Sequence, residues 1–297
     1  MAVLETNELF KRNLSKKKHQ LTEKELAQVK KVTFDILCDV IAVCEKNNFP
    51  YMLGGGTALG AVRHGGFIPW DDDIDINVPR KYINPLLQAI EVEYGNKYYI
   101  EAPLKTKGYL SSFIQIHKNG TVFQEYLMQE EEHCGIKIDI FPIENTYNNS
   151  IRRKWHGLRC DGGLFLLSCY RMYAWRKEFI ALAKGCAEAE RSVRVKGLIG
   201  RILSPVHSFL YRKVENVLRK CENEESEYVV IPSGRKHFFG ELYIRNNYMK
   251  TIPVVFENHN FQISADYDHY LKNLYGNYME LPPEEQREHH VIYQFKI

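Results

Sequence analysis

The chain lacks several patterns that would assign it quickly to a common class of protein. No apolar run reaches the roughly 20 residues that a membrane-spanning helix needs, and no hydrophobic signal segment opens the sequence. The seven cysteines are an odd number without a Cys-x-x-Cys pair, which argues against a disulfide framework. His133 and Cys134 have no second ligand pair at zinc-finger spacing, so no zinc site is expected. We therefore expect a reduced, cytoplasmic protein.

A strong overall charge is also missing, because the formal net charge is only +3, but the charge is unevenly distributed. Between Arg152 and Arg219 there are 15 Lys and Arg residues against 5 Asp and Glu residues, a net of +10 that leaves the remainder at about −7. Two interpretations stay open: an ordinary helical segment with basic outer faces, or a surface for anionic lipid or a polyanionic acceptor. No base-reading motif accompanies the charge, so nucleic acid is not an expected partner.

The most informative stretch, Gly54–Pro79, reads GGGTALGAVRHGGFIPWDDDIDINVP. A short apolar strand before it ends at three glycines, and a helical turn is predicted to run from Thr57 to Gly65. After the loop that ends at Trp70, the pattern changes to alternation with a period of two, which is typical of a half-buried strand. The polar set is Asp73, Asp75 and Asn77, and the apolar set is Ile74, Ile76 and Val78.

This stretch combines the groups that bind phosphate with those that bind a cation. Carboxylates two residues apart on a strand lie about 6.5–7 Å apart and can hold a hard divalent cation. Glycines at the start of a helix let the backbone approach an anion, although the pattern is neither a P-loop nor a dinucleotide fingerprint. A solvated acidic turn is the simpler alternative. Four aspartates within five residues, on a strand with one apolar face, favour phosphoryl or nucleotidyl transfer.

The run GGTALGAVRHGGFIPWDDDIDI resembles the signature of the LicD family of phosphocholine transferases, which includes fukutin-related sugar-alcohol phosphate transferases. Two further blocks are similar to the family: GIKIDIFP at 135–142, and LYGNYM at 274–279 followed by Leu281-Pro282-Pro283 and Arg287. Together the blocks anchor roughly residues 30–145 and 250–295. Asn277 stands where the family pattern leads us to expect an acidic residue, so it receives no metal-binding role.

The resemblance implies an α/β fold: a nucleotidyltransferase-like mixed β-sheet flanked by helices. The shift to basic composition near Ser150 adds a basic helical insertion to this core. We therefore divide the chain into a catalytic core over 1–150, a helical basic subdomain over 151–225, and a segment over 226–297 that completes the core. Asp139 would be the third carboxylate, on a strand next to that of Asp75. An exposed strand carboxylate is the alternative reading for Asp139.

The resemblance also implies roles for individual residues. Asp73, Asp75 and Asp139 would hold Mg²⁺ or Mn²⁺, and Asp139 is the candidate for the base that takes the acceptor proton. The backbone of Gly55 and Gly56 and the Thr57 hydroxyl would hold phosphate oxygens. Further candidates for substrate contact, each of which could equally be a surface or packing residue, are Arg63, Lys137, Trp70, Arg287 and His290.

The implied reaction moves phosphocholine, or a related phosphoalcohol, from a CDP-alcohol to a sugar hydroxyl and releases CMP. CDP-choline is the expected donor. The expected acceptor is a cell-surface glycan such as teichoic acid or lipopolysaccharide, or a lipid-linked precursor that residues 152–219 could approach at the inner face of the membrane. One alternative is a nucleotidyltransferase that moves NMP from an NTP and releases pyrophosphate. Another is a non-catalytic scaffold that binds nucleotide or membrane.

Overall fold

The structure, a computed structural model, describes residues 21–125, 134–283, 287 and 292–297. The helices are α1 (Glu23–Lys46), α2 (Gly55–His64), α3 (Arg80–Tyr94), α4 (Ser150–Ala174), α5 (Arg176–Ala183), α6 (Ala187–Leu203), α7 (His207–Leu218), α8 (His237–Gly240), α9 (Arg245–Tyr248) and α10 (Tyr267–Tyr275). The strands are β1 (Met52–Leu53), β2 (Asp75–Pro79), β3 (Tyr98–Glu101), β4 (Ile114–Lys118), β5 (Val122–Glu125), β6 (Lys137–Asn145), β7 (Tyr228–Val230), β8 (Leu242–Ile244), β9 (Thr251–Phe256), β10 (His259–Ser264) and β11 (Ile292–Lys296).

The central sheet is mixed, with strand order β1-β2-β6-β4-β3. Only β2 and β6 run parallel within that order, and the other neighbours are antiparallel. The short strand β7 pairs with the last two residues of β6 and then with β8, so the chain after residue 226 returns to the same sheet. The predicted class, a mixed α/β fold with a sheet flanked by helices, is confirmed.

One face of the sheet is covered by α1 and α3, which pack against β2, β4 and β6. Apolar side chains at alternating positions of β2 point into this core, and they are fully buried. Thr22 followed by Glu25 is the sequence pattern of a capping box, which predicts the start of α1, and the structure confirms it. The Thr22 hydroxyl accepts a hydrogen bond from the Glu25 amide, and the Glu25 carboxylate accepts one from the Thr22 amide. This cap satisfies amides that the first helical turn leaves without a partner.

The basic stretch forms a helical segment, in which both α6 and α7 pack against α4. Glycine allows the helices to approach closely, because a β-carbon at Gly200 would lie 2.1 Å from the carbonyl oxygen of Cys169. Similarly, a β-carbon at Gly163 would lie 2.8 Å from a methyl group of Val214. Within the described residues, no helix is both long enough and apolar enough to cross a membrane.

Two predicted boundaries are wrong by a few residues. Helix α2 begins at Gly55 rather than Thr57, since Ala58 N–H already donates to the Gly54 carbonyl. Residues 111–117 are predicted to form a strand with Phe113 and Ile114 in its middle, but strand β4 begins at Ile114, so Phe113 precedes it. Phe113 stacks on Phe141 of β6, with ring centroids 4.8 Å apart, and this tertiary contact was invisible to a local pattern.

Candidate active site

Two of the predicted carboxylates lie side by side because β2 and β6 are parallel neighbours. Asp75 is the register partner of Asp139, and the Asp139 amide donates to the carbonyl of Ile74 at 2.9 Å. Asp73 lies two residues before Asp75, just ahead of β2, and Asp73, Asp75 and Asp139 are all half-buried. Asp75 and Asp139 therefore share the sheet face opposite α1 and α3, where solvent and a substrate can reach them.

Neighbouring strand β4 contributes a side chain that orients Asp139. The Gln115 amide nitrogen donates to Asp139 Oδ1 at 2.9 Å, across the β4–β6 register in which the two residues are partners. Gln115 is buried, so this contact holds one carboxylate oxygen in place. The pKa of the nearby Tyr109 phenol is raised well above its usual value, mainly by burial and further by the charge of Asp139. Neither residue was predicted as part of the site, since neither belongs to a charged motif.

The glycine turn packs directly against the acidic strand. Gly55 adopts a left-handed conformation with φ of +44°, and a β-carbon there would lie 2.3 Å from Asp75 Oδ2. A β-carbon at Gly56 would lie 2.9 Å from Asp71 Oδ2, and one at Gly54 would lie 2.7 Å from Asn77 Oδ1. The turn is therefore glycine because acidic and amide side chains occupy the space beside it.

Thr57 positions Asp75 through the backbone. Its buried hydroxyl oxygen accepts a hydrogen bond from the Asp75 amide at 2.8 Å, so the helix start and the strand start are tied together. The amides of Gly56 and Thr57 lie in the first turn of α2, where the helix itself offers no acceptor. These two amides are suited to bind a phosphate oxygen, and phosphate contact by the Thr57 hydroxyl stays a prediction.

Tyr270 of α10 binds the backbone of the glycine turn. Its hydroxyl oxygen accepts a hydrogen bond from Gly55 N–H at 2.9 Å and lies 3.4 Å from Asn77 Nδ2. Asn77 Nδ2 also donates to the Tyr248 hydroxyl at 3.0 Å. The ring of Tyr248 stacks on Tyr243 with centroids 4.4 Å apart, and all three tyrosines are buried. Tyr270 lies one helical turn before the 274–279 block, and that proximity was the only sequence signal for it.

Tyr275, at the end of α10, also faces the acidic side chains. Its pKa is raised well above the usual value by burial, by the neighbouring Tyr270, and by the negative charges of Asp75 and Asp71. The guanidinium carbon of Arg235 lies 5.5 Å from the centre of the Tyr275 ring. The C-terminal part of the chain thus brings an aromatic ring and a cation to the edge of the site.

The loop before the acidic run is held by a lysine and an arginine. Lys30 Nζ donates to the carbonyls of Ile68 and Pro69 at 3.0 and 2.9 Å. Burial lowers the pKa of Lys30, while the charge of Asp71 opposes that shift. The guanidinium of Arg287 lies over the Trp70 ring, 4.5 Å from its centre. Two of the predicted substrate contacts therefore meet each other beside the acidic run.

The remaining candidates have different surroundings. Arg63 Nη1 donates to the carbonyl of Tyr278 at 2.8 Å and to that of Glu280 at 3.3 Å, so Arg63 anchors the C-terminal block to α2. Lys137 lies two residues before Asp139 on β6 and is half-buried on the same face. His290 lies outside the described residues. Substrate contact by these three residues stays a prediction.

The carboxylate side chains of the site suit a hard divalent cation, because carboxylate oxygens are the ligands that Mg²⁺ and Mn²⁺ prefer. Asp75 and Asp139 are fixed beside each other by register, and the missing β-carbon of Gly55 leaves room at Asp75 Oδ2. Among the described residues, however, no three His, Cys, Asp or Glu side chains already converge as a complete ligand set. A bound ion would therefore need oxygens from the substrate or water as well, as is common for Mg²⁺.

We expect Tyr270→Phe to lower the free energy of unfolding by about 1–3 kcal/mol, because it leaves the partly buried Gly55 amide without its acceptor. Thermal or urea unfolding measures this change. Tyr267→Phe is the matched control, since Tyr267 is half-buried on the same helix. Equal stability of the two variants would show that the Tyr270 hydroxyl does not hold the glycine turn.

Comparison with known proteins identifies a domain over the site. Residues 48–161 match the family model described as "LicD/FKTN/FKRP, nucleotidyltransferase domain". This range includes the glycine turn, the acidic run and Asp139, together with Gln115.

Similarity to individual proteins extends further along the chain. The chain is 25% identical over 286 residues to the lipopolysaccharide cholinephosphotransferase LicD of Haemophilus influenzae, covering 93% of this chain and 97% of the relative. It is 49% identical over 57 residues to the ribitol 5-phosphate transferase FKRP of Mus musculus and of Homo sapiens. That second likeness covers 19% of this chain and only 12% of the FKRP proteins.

Proposed function

We propose that the chain transfers phosphocholine from CDP-choline to a sugar hydroxyl of a cell-surface glycopolymer or its precursor, with release of CMP. The match of residues 48–161 to the LicD family model and the likeness to the Haemophilus influenzae cholinephosphotransferase support this proposal. The observation that carries the proposal is the register of Asp75 with Asp139 beside the glycine turn, inside the matched domain. Choline is favoured over ribitol because likeness to the cholinephosphotransferase spans nearly both whole chains, whereas likeness to FKRP is confined to 57 residues.

The donor diphosphate would lie at the start of α2. The amides of Gly56 and Thr57 point there with the positive end of the helix dipole, which favours phosphate oxygens. Gly55 contributes by lacking a side chain, since its own N–H donates to Tyr270. Asp73, Asp75 and Asp139 would hold Mg²⁺ or Mn²⁺. When bound, this ion supplies positive charge that neutralises the diphosphate and the charge that develops on it during transfer.

The transfer itself is a single displacement at phosphorus. The oxygen of the acceptor hydroxyl forms a bond to the phosphorus that carries choline, the bond from that phosphorus to the bridging oxygen breaks, and CMP leaves with the bonding electrons. The hydroxyl proton passes to a carboxylate, for which we propose Asp139. The contact from Gln115 holds one oxygen of Asp139, so the carboxylate presents a fixed direction to the incoming hydroxyl.

We also propose that the reaction takes place in the cytoplasm. The cysteines of the chain are all free thiols, which supports a reducing, cytoplasmic environment. The acceptor would therefore be modified on the cytoplasmic side of the membrane before it reaches the cell surface.

Titration calorimetry with CDP-choline, CDP-ribitol and CTP tests the choice of donor. We expect CDP-choline to bind tightest, by about tenfold or more over CDP-ribitol, and to lose affinity when Mg²⁺ is removed with EDTA. Product analysis completes the test, because phosphoalcohol transfer yields CMP, whereas transfer of a nucleotide from CTP yields pyrophosphate.

Each other result would change the proposal in a defined way. A preference for CDP-ribitol would keep the chemistry and contradict the choice of choline. Binding of CTP alone, with release of pyrophosphate, would point to a nucleotidyltransferase instead. A protein that binds none of the three nucleotides, with or without Mg²⁺, would contradict the transferase.

A further inference from the structure

Large apolar side chains are strongly exposed along the helical segment. Ten of the 19 most exposed large apolar side chains in the described part of the chain fall between residues 151 and 209. Five of them follow one another along α6 and α7, and we refer to these as the apolar ridge: Val195, Leu198, Ile202, Val206 and Phe209. Their exposed fractions range from 50% at Val206 to 71% at Ile202, well above what a folded core leaves uncovered.

Three residues of the apolar ridge lie on one face of α6. Val195, Leu198 and Ile202 are three and four residues apart, which is the spacing of a single helix face. Val206 lies in the short 3₁₀ turn at 204–206 that links α6 to α7, and Phe209 lies in the first turn of α7.

The opposite faces of α6 and α7 are covered. Val193 and Gly200 of α6, and Tyr211, Val214 and Leu218 of α7, are buried, and both helices pack against α4. Within the described residues, the ridge therefore lies on the exposed sides of these elements. A second exposed apolar row on α4 has the same helical spacing: Ile151, Trp155, Leu158 and Phe165.

Cations flank the ridge. The side chains of Arg191, Arg194, Arg201, Arg212 and Lys213 are exposed on α6 and α7. Lys213 Nζ lies 5.2 Å from the centre of the Phe209 ring, so its aliphatic stem runs along the apolar surface while the ammonium stays in water. Residues 152–219 carry the net charge of +10 described above.

We propose that the apolar ridge lies in the headgroup region of a bilayer that contains anionic lipid. Apolar side chains flanked by exposed arginines match the two properties of such a surface, an apolar interior and a layer of negative charge. A second copy of the chain is a less suitable partner for the ridge than a bilayer, because two such surfaces would bring like charges together. The inference is independent of the proposed transfer reaction, since vesicle binding needs neither donor nor acceptor.

Vesicle flotation with the full chain tests the inference. We expect binding to vesicles of phosphatidylcholine with 30% phosphatidylglycerol, weak binding to phosphatidylcholine alone, and a marked loss of binding at 0.5 M NaCl. The double variant Leu198→Ser/Ile202→Ser should bind at least about tenfold more weakly, because it removes two apolar side chains from the buried part of the interface. The variant Arg194→Glu/Arg201→Glu should also lose about tenfold or more.

Matched controls use residues outside the helical segment. Val92→Ser replaces an apolar side chain that is 80% exposed on α3, and Lys24→Glu/Lys31→Glu reverses two exposed cations on α1. Both controls should bind vesicles like the unmodified chain, and circular dichroism should show the same fold for all variants.

Three results would overturn the inference. One is failure of the unmodified chain to float with anionic vesicles, and another is equal binding by the ridge variants and the controls. The third is a stable dimer in sedimentation analysis that Leu198→Ser/Ile202→Ser converts to a monomer, which would assign the ridge to a second copy of the chain.

Discussion

Asparagine in place of Asp75 should reduce transfer by about a thousandfold while the protein stays folded. The substitution keeps the size of the side chain and removes the negative charge that lies beside Asp139 and against the glycine turn. A site that stabilises a charged transition state typically loses about 10²–10³ in rate when one preorganised polar group is removed. The measurement is the rate of CMP release from CDP-choline by the purified variant, together with its thermal unfolding temperature.

Asp35→Asn is the control for this experiment, because Asp35 is an exposed carboxylate on α1 and its removal makes the same change in total charge. Transfer should continue at the unmodified rate in the control. If Asp75→Asn were as active as Asp35→Asn, the carboxylate pair would have no part in the chemistry. Asp139→Asn provides a second test of the pair, since it removes the proposed proton acceptor but leaves Asp75 in place.

Alanine at Gly55 should inactivate the enzyme through geometry alone, with no change of charge. The new β-carbon would meet Asp75 Oδ2 at 2.3 Å, and the backbone φ of +44° is unfavourable for any residue with a β-carbon. Either the carboxylate or the turn must move. A displacement of about 1 Å at a reacting centre can cost about a hundredfold in rate, so we expect at least that loss in kcat.

Gly65→Ala separates backbone strain in α2 from contact with the Asp75 carboxylate. Gly65 ends α2 with φ of +67°, but no heavy atom lies within 4 Å of a β-carbon built there. This variant should lose about 1–2 kcal/mol of unfolding free energy through backbone strain and should keep nearly full kcat at a temperature where it is folded. Comparable loss of kcat in both variants would mean that strain in α2, rather than contact with Asp75, controls activity.

Much of the local structure followed from the amino-acid pattern. Alternation over Asp73–Val78 predicted a strand with one apolar and one polar face, because side chains of a strand point to opposite sides in turn. Strand β2 forms there but begins at Asp75, and Asn77 on the polar face is buried. The capping box at Thr22 predicted where α1 begins, since its two hydrogen bonds involve residues only three apart. The glycine turn and the acidic run also indicated transfer chemistry at phosphorus, because few other reactions use both groups.

Local patterns were less informative where a side chain serves a distant partner. The pattern around Thr57 did not show that its hydroxyl oxygen accepts a hydrogen bond from the Asp75 amide. The pattern around Arg63 did not show that its guanidinium donates to the carbonyls of Tyr278 and Glu280. In each case the residue type permitted several partners, and the packing of α2 against its neighbours brought these particular ones within reach.

By itself, the sequence determined which residues could do chemistry: the aspartates, the glycines and the basic helical stretch, because their types and spacing limit what they can bind. The tertiary structure decided which of them meet. Asp139 is 64 residues from Asp75 and becomes its neighbour because β2 and β6 pair in parallel. Tyr270 is 215 residues from Gly55 and reaches its amide because α10 packs against α2. Such contacts depend on burying apolar faces that lie far apart along the chain, and no short stretch of sequence contains that information.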